Sequence, residues 1–189
     1  VILLLAGIKV RIGYNRSFSR YLLTHRIEHY AEKTRRGHKI EKLLNLLTIF
    51  TNHKMIMDTE LYPDDKDYAY CHSVLSHNKE NKKVVLIAPG SVWATKRWNK
   101  DYYTEVCKLL QEKGIFVILS GSKSEEALCQ EILLKCSQGT SGNIISICGK
   151  STLLQTAAVV KNCDLVLCND SGTLHIANAM KTTVFAIFG

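Results

Sequence analysis

The chain has 189 residues, 46% hydrophobic and 22% charged, enough apolar content for a sizeable core in one large domain or parts of two. No apolar run approaches the roughly 20 residues of a membrane-spanning helix, which excludes a span of that kind. The formal charge of +8 is concentrated in the first third, but aromatic residues are not interleaved with it and no nucleic-acid-binding module is recognisable.

The opening run, Val1 to Ala6, lacks the positively charged region of a signal peptide and is read as a buried strand cut at its start. A turn at Gly7 and a second strand, Val10 to Tyr14, follow. Arg11, Arg16, Arg20, Arg26, Lys33, Arg35, Arg36 and Lys39 make a basic region. It serves equally as a solvated face or as a surface for an acidic acceptor, lipid or phosphorylated substrate. Residues 38–50 carry apolar positions at helical spacing. Residues 51–64 are a polar passage ending at Pro63-Asp64, beyond which a helix is predicted through Asp67 to Leu75.

From Lys83 onward strands and helices alternate. The predicted strands are Val84–Ala88, Ile115–Leu119, Asn143–Ile147, Leu165–Cys168 and Thr183–Phe188. The helices between them are Asp101–Lys113, Ser124–Cys136, Ser151–Lys161 with Ser151 or Thr152 as cap, and one starting after Gly172. Tyr103, Val106, Leu109 and Leu110 are the expected buried stripe of the first. Strands that are almost wholly apolar and separated by helices predict a doubly wound parallel sheet, with ligands beyond the strands' carboxyl ends. The seven cysteines show neither CxxC nor His-Cys ligand spacing, so they are read as small core residues and reduced thiols of a cytoplasmic protein. The chain reads as a piece of a longer two-domain protein, with residues 1–62 closing one domain and 63–189 forming most of the other.

The polar motifs all fall at strand ends. Asn169-Asp170-Ser171-Gly172-Thr173-Leu174-His175 turns a strand into a helix, so backbone amides and the helix dipole create an anion site, and Asp170 can accept bonds from sugar hydroxyls. His175 lies on the same helix, either as a partly buried histidine or beside the ligand. Pro89-Gly90-Ser91, followed by Lys96-Arg97-Trp98, can cradle a phosphate without the spacing of a Walker loop. Equally, Lys96 and Arg97 can be solvated charges and Trp98 a packing residue. Glu125, after Ser120-Gly121-Ser122, can bond a ribose or simply occupy a first helical turn. Gly149-Lys150-Ser151-Thr152 can be a plain capped loop. GxGxxG, HExxH, other metal patterns and a nucleophile elbow are absent.

Taken in order, Ala6 to Tyr14, His38 to Glu41, Pro89-Gly90-Ser91…Lys96-Arg97-Trp98 and Asn169 to His175…Phe188-Gly189 resemble glycosyltransferase family 9, the ADP-heptose:lipopolysaccharide heptosyltransferases. The resemblance spans nearly the whole chain. It implies a GT-B fold of two Rossmann-like domains, cytoplasmic and peripheral to the inner membrane, with no cofactor and no metal. It implies inverting transfer from ADP-heptose to the lipopolysaccharide core or lipid A acceptor. Ser91 and Lys96 would then meet the diphosphate, Glu125 the ribose, Lys150 and Ser151 the adenine, and Asp170 the heptose. The amides of Ser171, Gly172 and Thr173 would take phosphate, with His175 nearby. Fixed positive charge on the leaving diphosphate is what metal-free cleavage of a sugar–phosphate bond requires. Asn99 stands where the family usually has proline. The family's general base, an Asp early in the N-terminal domain, is not in this sequence, so the chain alone is expected to be inactive. Other readings are a related transferase with another nucleotide sugar or a protein acceptor, and a non-catalytic nucleotide-binding domain.

Overall fold

The computed structural model describes residues 2–15, 18–27, 39–50, 58–78, 82–137 and 143–188. The chain divides into two compact units, Val1–Asp58 and Thr59–Gly189.

The first unit opens on a helix, α1 (Ile2–Leu5), where a buried strand is expected. Leucine is a strong helix former, and these side chains are exposed rather than paired into a sheet. Gly7, at φ 68°, closes the helix in a Schellman turn: Ile8 N–H reaches the Leu3 carbonyl at 3.1 Å and Gly7 N–H that of Leu4 at 3.0 Å. The second predicted strand is present as β1 (Ile12–Tyr14) and pairs in parallel with β2 (His25–Ile27), which sequence pattern left unassigned. Arg11 is built into this unit, its N–H donating to Thr24 Oγ1 at 2.8 Å and its Nε to the Leu22 carbonyl at 2.6 Å. Arg20 lies over the Tyr21 ring, 4.8 Å from the centroid. Two arginines of the basic region are therefore tied to local partners. Arg16, Lys33, Arg35, Arg36 and His38 lie outside the described residues. The predicted helix over 38–50 is α2 (Lys39–Leu44), which tightens into a 3-10 turn over Asn45–Ile49.

The second unit begins with α3 (Asp65–Leu75). It starts where the polar passage is expected to end, because Asp64 caps it: the Asp64 carboxylate accepts from the Lys66 and Asp67 amides at 2.9 and 3.1 Å, and Asp67 accepts from Asp64 N–H at 3.0 Å. Five parallel strands follow: β3 (Val84–Ala88), β4 (Phe116–Leu119), β5 (Ile144–Ser146), β6 (Leu165–Asn169) and β7 (Val184–Ile187). Between and beside them run α4 (Lys100–Glu112), α5 (Glu126–Ser137), α6 (Leu153–Lys161) and α7 (Gly172–Ala179). The strand order is β5-β4-β3-β6-β7, so the chain moves outward from β3 in one direction and then in the other. That reversal, between β3 and β6, is the topological switch point of a doubly wound sheet.

Alternating side chains on β3 feed two cores. Val84, Leu86 and Ala88 join Cys71, the Ala157–Val160 stretch and Ala177 on the side of α3, α6 and α7. Val85 and Ile87 join Tyr103, Cys107, Cys129, Ile132 and Cys136 on the side of α4 and α5. Burial on both faces is why these strands are continuously apolar. All seven cysteines are buried free thiols in these cores. On α4 the buried line is Tyr103, Thr104, Cys107 and Gln111, whereas Leu109 is 54% exposed. The expected stripe is thus rotated: Val106 and Leu110 pack only at its flank. Among the described residues no helix is long and apolar enough to cross a membrane.

Candidate functional site

A cavity of about 710 Å³ opens at the switch point, beyond the carboxyl ends of the strands. One wall is the Gly90-Ser91 turn after β3. A second is the turn after β4, from Ser120 to Glu125. The N-terminal turn of α6 (Ser151 to Thr156) supplies a third, and the Asp170–Thr173 turn into α7 the fourth. Val92, Trp93 and Arg97 form the rim, Trp93 with 67% of its surface exposed.

The turn after β6 is set up by its hydrogen bonds. Ser171 is the N-cap of α7, in extended conformation, with no side-chain cap bond. Its Oγ is buried and has no partner among the described residues, a donor and acceptor held at the wall of the cavity. A helix start leaves its first amides without intrahelical partners, and Gly172 and Thr173 of α7 line the same cavity. Asp170, immediately before, forms an ion pair with Lys96 from the loop after β3, 31% and 40% exposed respectively. Arg97 donates from Nε to the Ser91 carbonyl at 2.7 Å, which fixes the guanidinium at the rim. It is the one lysine or arginine among the residues lining the cavity. Burial, and then the Asp170 charge, raise the Cys168 thiol to about 11.

Asn169 joins these parts from beneath. It is fully buried, and all of its side-chain bonding capacity is used. Oδ1 accepts from Trp98 N–H at 3.0 Å and from the Tyr103 hydroxyl at 2.9 Å. Nδ2 donates to the carbonyls of Pro89 and Gly90 at 2.9 and 3.1 Å. The Trp98 ring meets Tyr103 edge-on, centroids 5.1 Å apart, and so is a packing residue as expected.

On the opposite wall Glu125 closes a capping box, Oε2 accepting from both N and Oγ of Ser122 at 2.7 Å. Its other oxygen faces Gly90 so closely that a Cβ there would overlap the carboxylate. Thr152 caps α6: its Oγ1 accepts from Gln155 N–H at 3.2 Å and the Gln155 side chain bonds back to Thr152 N–H at 2.9 Å.

Of the residues singled out in the sequence, Ser91, Glu125, Ser151, Asp170, Ser171, Gly172 and Thr173 line the cavity together. Lys96 reaches it through Asp170. Lys150 and His175 are exposed and lie outside the lining. Arg97, Trp93 and Asn169 are not among the site residues that the sequence predicts. The one local signal for Asn169 is a lone amide at the end of an otherwise apolar strand. Among the described residues no three His, Cys, Asp or Glu side chains converge as metal ligands.

Comparison with known proteins gives a consistent result. The model of glycosyltransferase family 9 (heptosyltransferase) matches residues 1–189. The lipopolysaccharide core heptosyltransferase OpsX of Haemophilus influenzae is 32% identical over 129 residues, covering 68% of this chain and 36% of that protein. Lipooligosaccharide heptosyltransferase 2 of Haemophilus ducreyi is 30% identical over 103 residues, covering 54% of this chain and 30% of the relative. The solved structure of ADP-heptose lipopolysaccharide heptosyltransferase II of Escherichia coli superposes with a TM-score of 0.78 at 24% identity, over 100% of this chain and 58% of that one. The chain thus spans about a third of these two curated relatives.

Proposed function

Because the chain belongs to glycosyltransferase family 9 and shares the α/β GT-B fold of its solved neighbours, we propose that the cavity is the donor site of a heptosyltransferase. In this reading it holds ADP-heptose while the sugar passes to the inner core of lipopolysaccharide. The observation that carries the proposal is the meeting at one switch point of a carboxylate, two cations and a helix start: Asp170, Lys96, Arg97 and the first amides of α7.

A nucleotide sugar needs that set. Its diphosphate carries the negative charge that the α7 amides, the Ser171 hydroxyl and Ser91 can accept. Lys96 neutralises the departing diphosphate. Asp170 takes the heptose hydroxyls, and Glu125 and the Ser151 turn take ribose and adenine. In an inverting displacement the acceptor hydroxyl forms its bond to the anomeric carbon on one face. The bond to the diphosphate oxygen breaks on the other, and ADP leaves with the electron pair. Protein charge fixed in place stabilises that leaving group without reorganisation, so no divalent ion is required. Residues 1–62 are assigned to the acceptor-side domain and linker, and 63–189 to the nucleotide-sugar domain. The base that takes the acceptor proton is assigned to the acceptor-side domain. The acceptor is a lipopolysaccharide core lipid reached at the cytoplasmic face of the inner membrane.

Calorimetric titration of ADP-heptose, ADP and UDP in the presence of a chelator tests the proposal. ADP-heptose should bind more tightly than ADP, and UDP should bind weakest. Asp170→Ala should weaken ADP-heptose by about 1–3 kcal/mol, the range for a lost polar contact to a charged group, and ADP by less. Lys96→Ala should weaken both. Equal losses in the Asp170 variant would remove its assigned role, and a preference for UDP would remove the donor assignment.

A further inference from the structure

We propose that Asn169 is the positioning residue for the phosphate side of the cleft; this inference rests on the donor-site reading above. The loop that leaves β3 and enters α4 carries Ser91, Lys96 and Arg97. Asn169 holds it at both ends: Nδ2 binds the Pro89 and Gly90 carbonyls where it starts, and Oδ1 binds Trp98 N–H where it finishes. The next residue along the chain is Asp170, the partner of Lys96. One buried side chain therefore fixes the distance between the loop's cations and the α7 amides. The fourth bond, from the Tyr103 hydroxyl, fills the amide's remaining acceptor site and does not touch the loop.

Core packing alone does not call for this residue. The rest of β6, Leu165 to Cys168, is apolar. An apolar residue in its place would strand two carbonyls, an N–H and a hydroxyl away from water. Three of the four bonds go to backbone groups at the loop's ends, so their loss releases the loop while leaving the sheet register intact. The wall formed by Ser122, Ser151 and Thr156 makes no bond to Asn169 among those described.

Asn169→Asp separates the two halves of the role. It keeps an acceptor for Trp98 and Tyr103, and sets a carboxylate against the two carbonyls that Nδ2 served. The variant should bind ADP at least tenfold more weakly than the parent chain at pH 8, while adenosine affinity changes less than twofold. Lowering the pH should restore ADP binding in the variant alone, because the protonated carboxyl again donates to a carbonyl; burial raises the pH at which this happens. Trypsin should cut after Lys96 and Arg97 faster than in the parent, with other sites unchanged. Tyr103→Phe, which keeps both ends of the loop tied, should retain ADP binding within threefold. Circular dichroism melting establishes that each variant is folded. Were Asn169→Asp unfolded, Asn169→Ser, which keeps a smaller donor and acceptor, would be measured by the same ADP-to-adenosine ratio. A folded variant with parental ADP affinity, or one losing ADP and adenosine alike, overturns the inference. A parent chain that binds adenosine and not ADP overturns the donor-site reading instead, and the trypsin pattern still decides whether Asn169 holds the loop.

Discussion

Gly90 faces the Glu125 carboxylate across the cavity's turns, so closely that a Cβ there would overlap it. A methyl group there forces the carboxylate away and breaks its bonds to Ser122. Gly90→Ala should therefore weaken adenosine-containing ligands several-fold, about 1 kcal/mol, with little change in melting temperature, since the strain falls on one side chain. A wild-type affinity for ADP in that variant would show that Glu125 has no part in binding. At this scale the sequence was a partial guide. Asp170, Ser171 and Gly172 could be found because a strand that turns into a helix through small polar residues has few physical meanings. For Glu125 the sequence leaves a ribose contact and a first-turn carboxylate both open; the structure shows the cap and sets the same side chain in the cavity wall. The bond from Asn169 to Pro89 spans 80 residues, and no local pattern encodes a contact of that range.

Elements followed their local physics closely in the second unit and less so in the first. Strands buried on both faces announce themselves as apolar runs, and β3 to β7 fall within a residue or two of their predicted ends. The opening run failed for a related reason: four or five apolar residues fit a strand or a helix, and only the Schellman turn at Gly7 decides it. The α4 stripe was misplaced because buried Thr104 and Gln111 do not look apolar. Helix starts, by contrast, are governed by single residues. Asn99 caps α4, its side chain accepting from Asp101 N–H at 2.9 Å. Its φ of −62° is one that proline also adopts, so the proline that the family resemblance leads one to expect there would fit the same backbone. Asn99→Ala should cost about 1 kcal/mol in denaturant titration. An unchanged midpoint would mean that the cap contributes nothing.

At the scale of the whole molecule, the cavity belongs entirely to the second unit. Residues 59–189 expressed alone should fold and keep the affinity for ADP; loss of folding would show that the second unit depends on the first. The buried thiols set a limit on the alkaline side. Burial first, then nearby charge, raises Cys168 to about 11, and burial raises Cys163 to about 12, from the ordinary 9.0. A thiol that ionises more readily in the unfolded chain stabilises the fold fully below about pH 9, and that contribution is lost as pH rises through 11 to 12. Urea midpoints should therefore fall steadily above pH 9; a flat profile to pH 11 would contradict it. Alternation of strands and helices made the sheet legible, but the order in which strands lie side by side is a long-range property and was not.

That order has a consequence during synthesis. The central strand β3 takes β4 on one edge soon after both leave the ribosome, yet its other edge waits for β6. Val85 pairs with Leu165, and the amide that ties Asn169 to Pro89 arrives 80 residues after its partner. At about 5–20 residues per second, roughly 4–16 s pass with a fully apolar strand edge open to any other nascent chain. The seam along which the cavity opens thus closes only once β6 is made, with β7 still to follow, and crowding on the polysome falls on the same strands that later line the cavity.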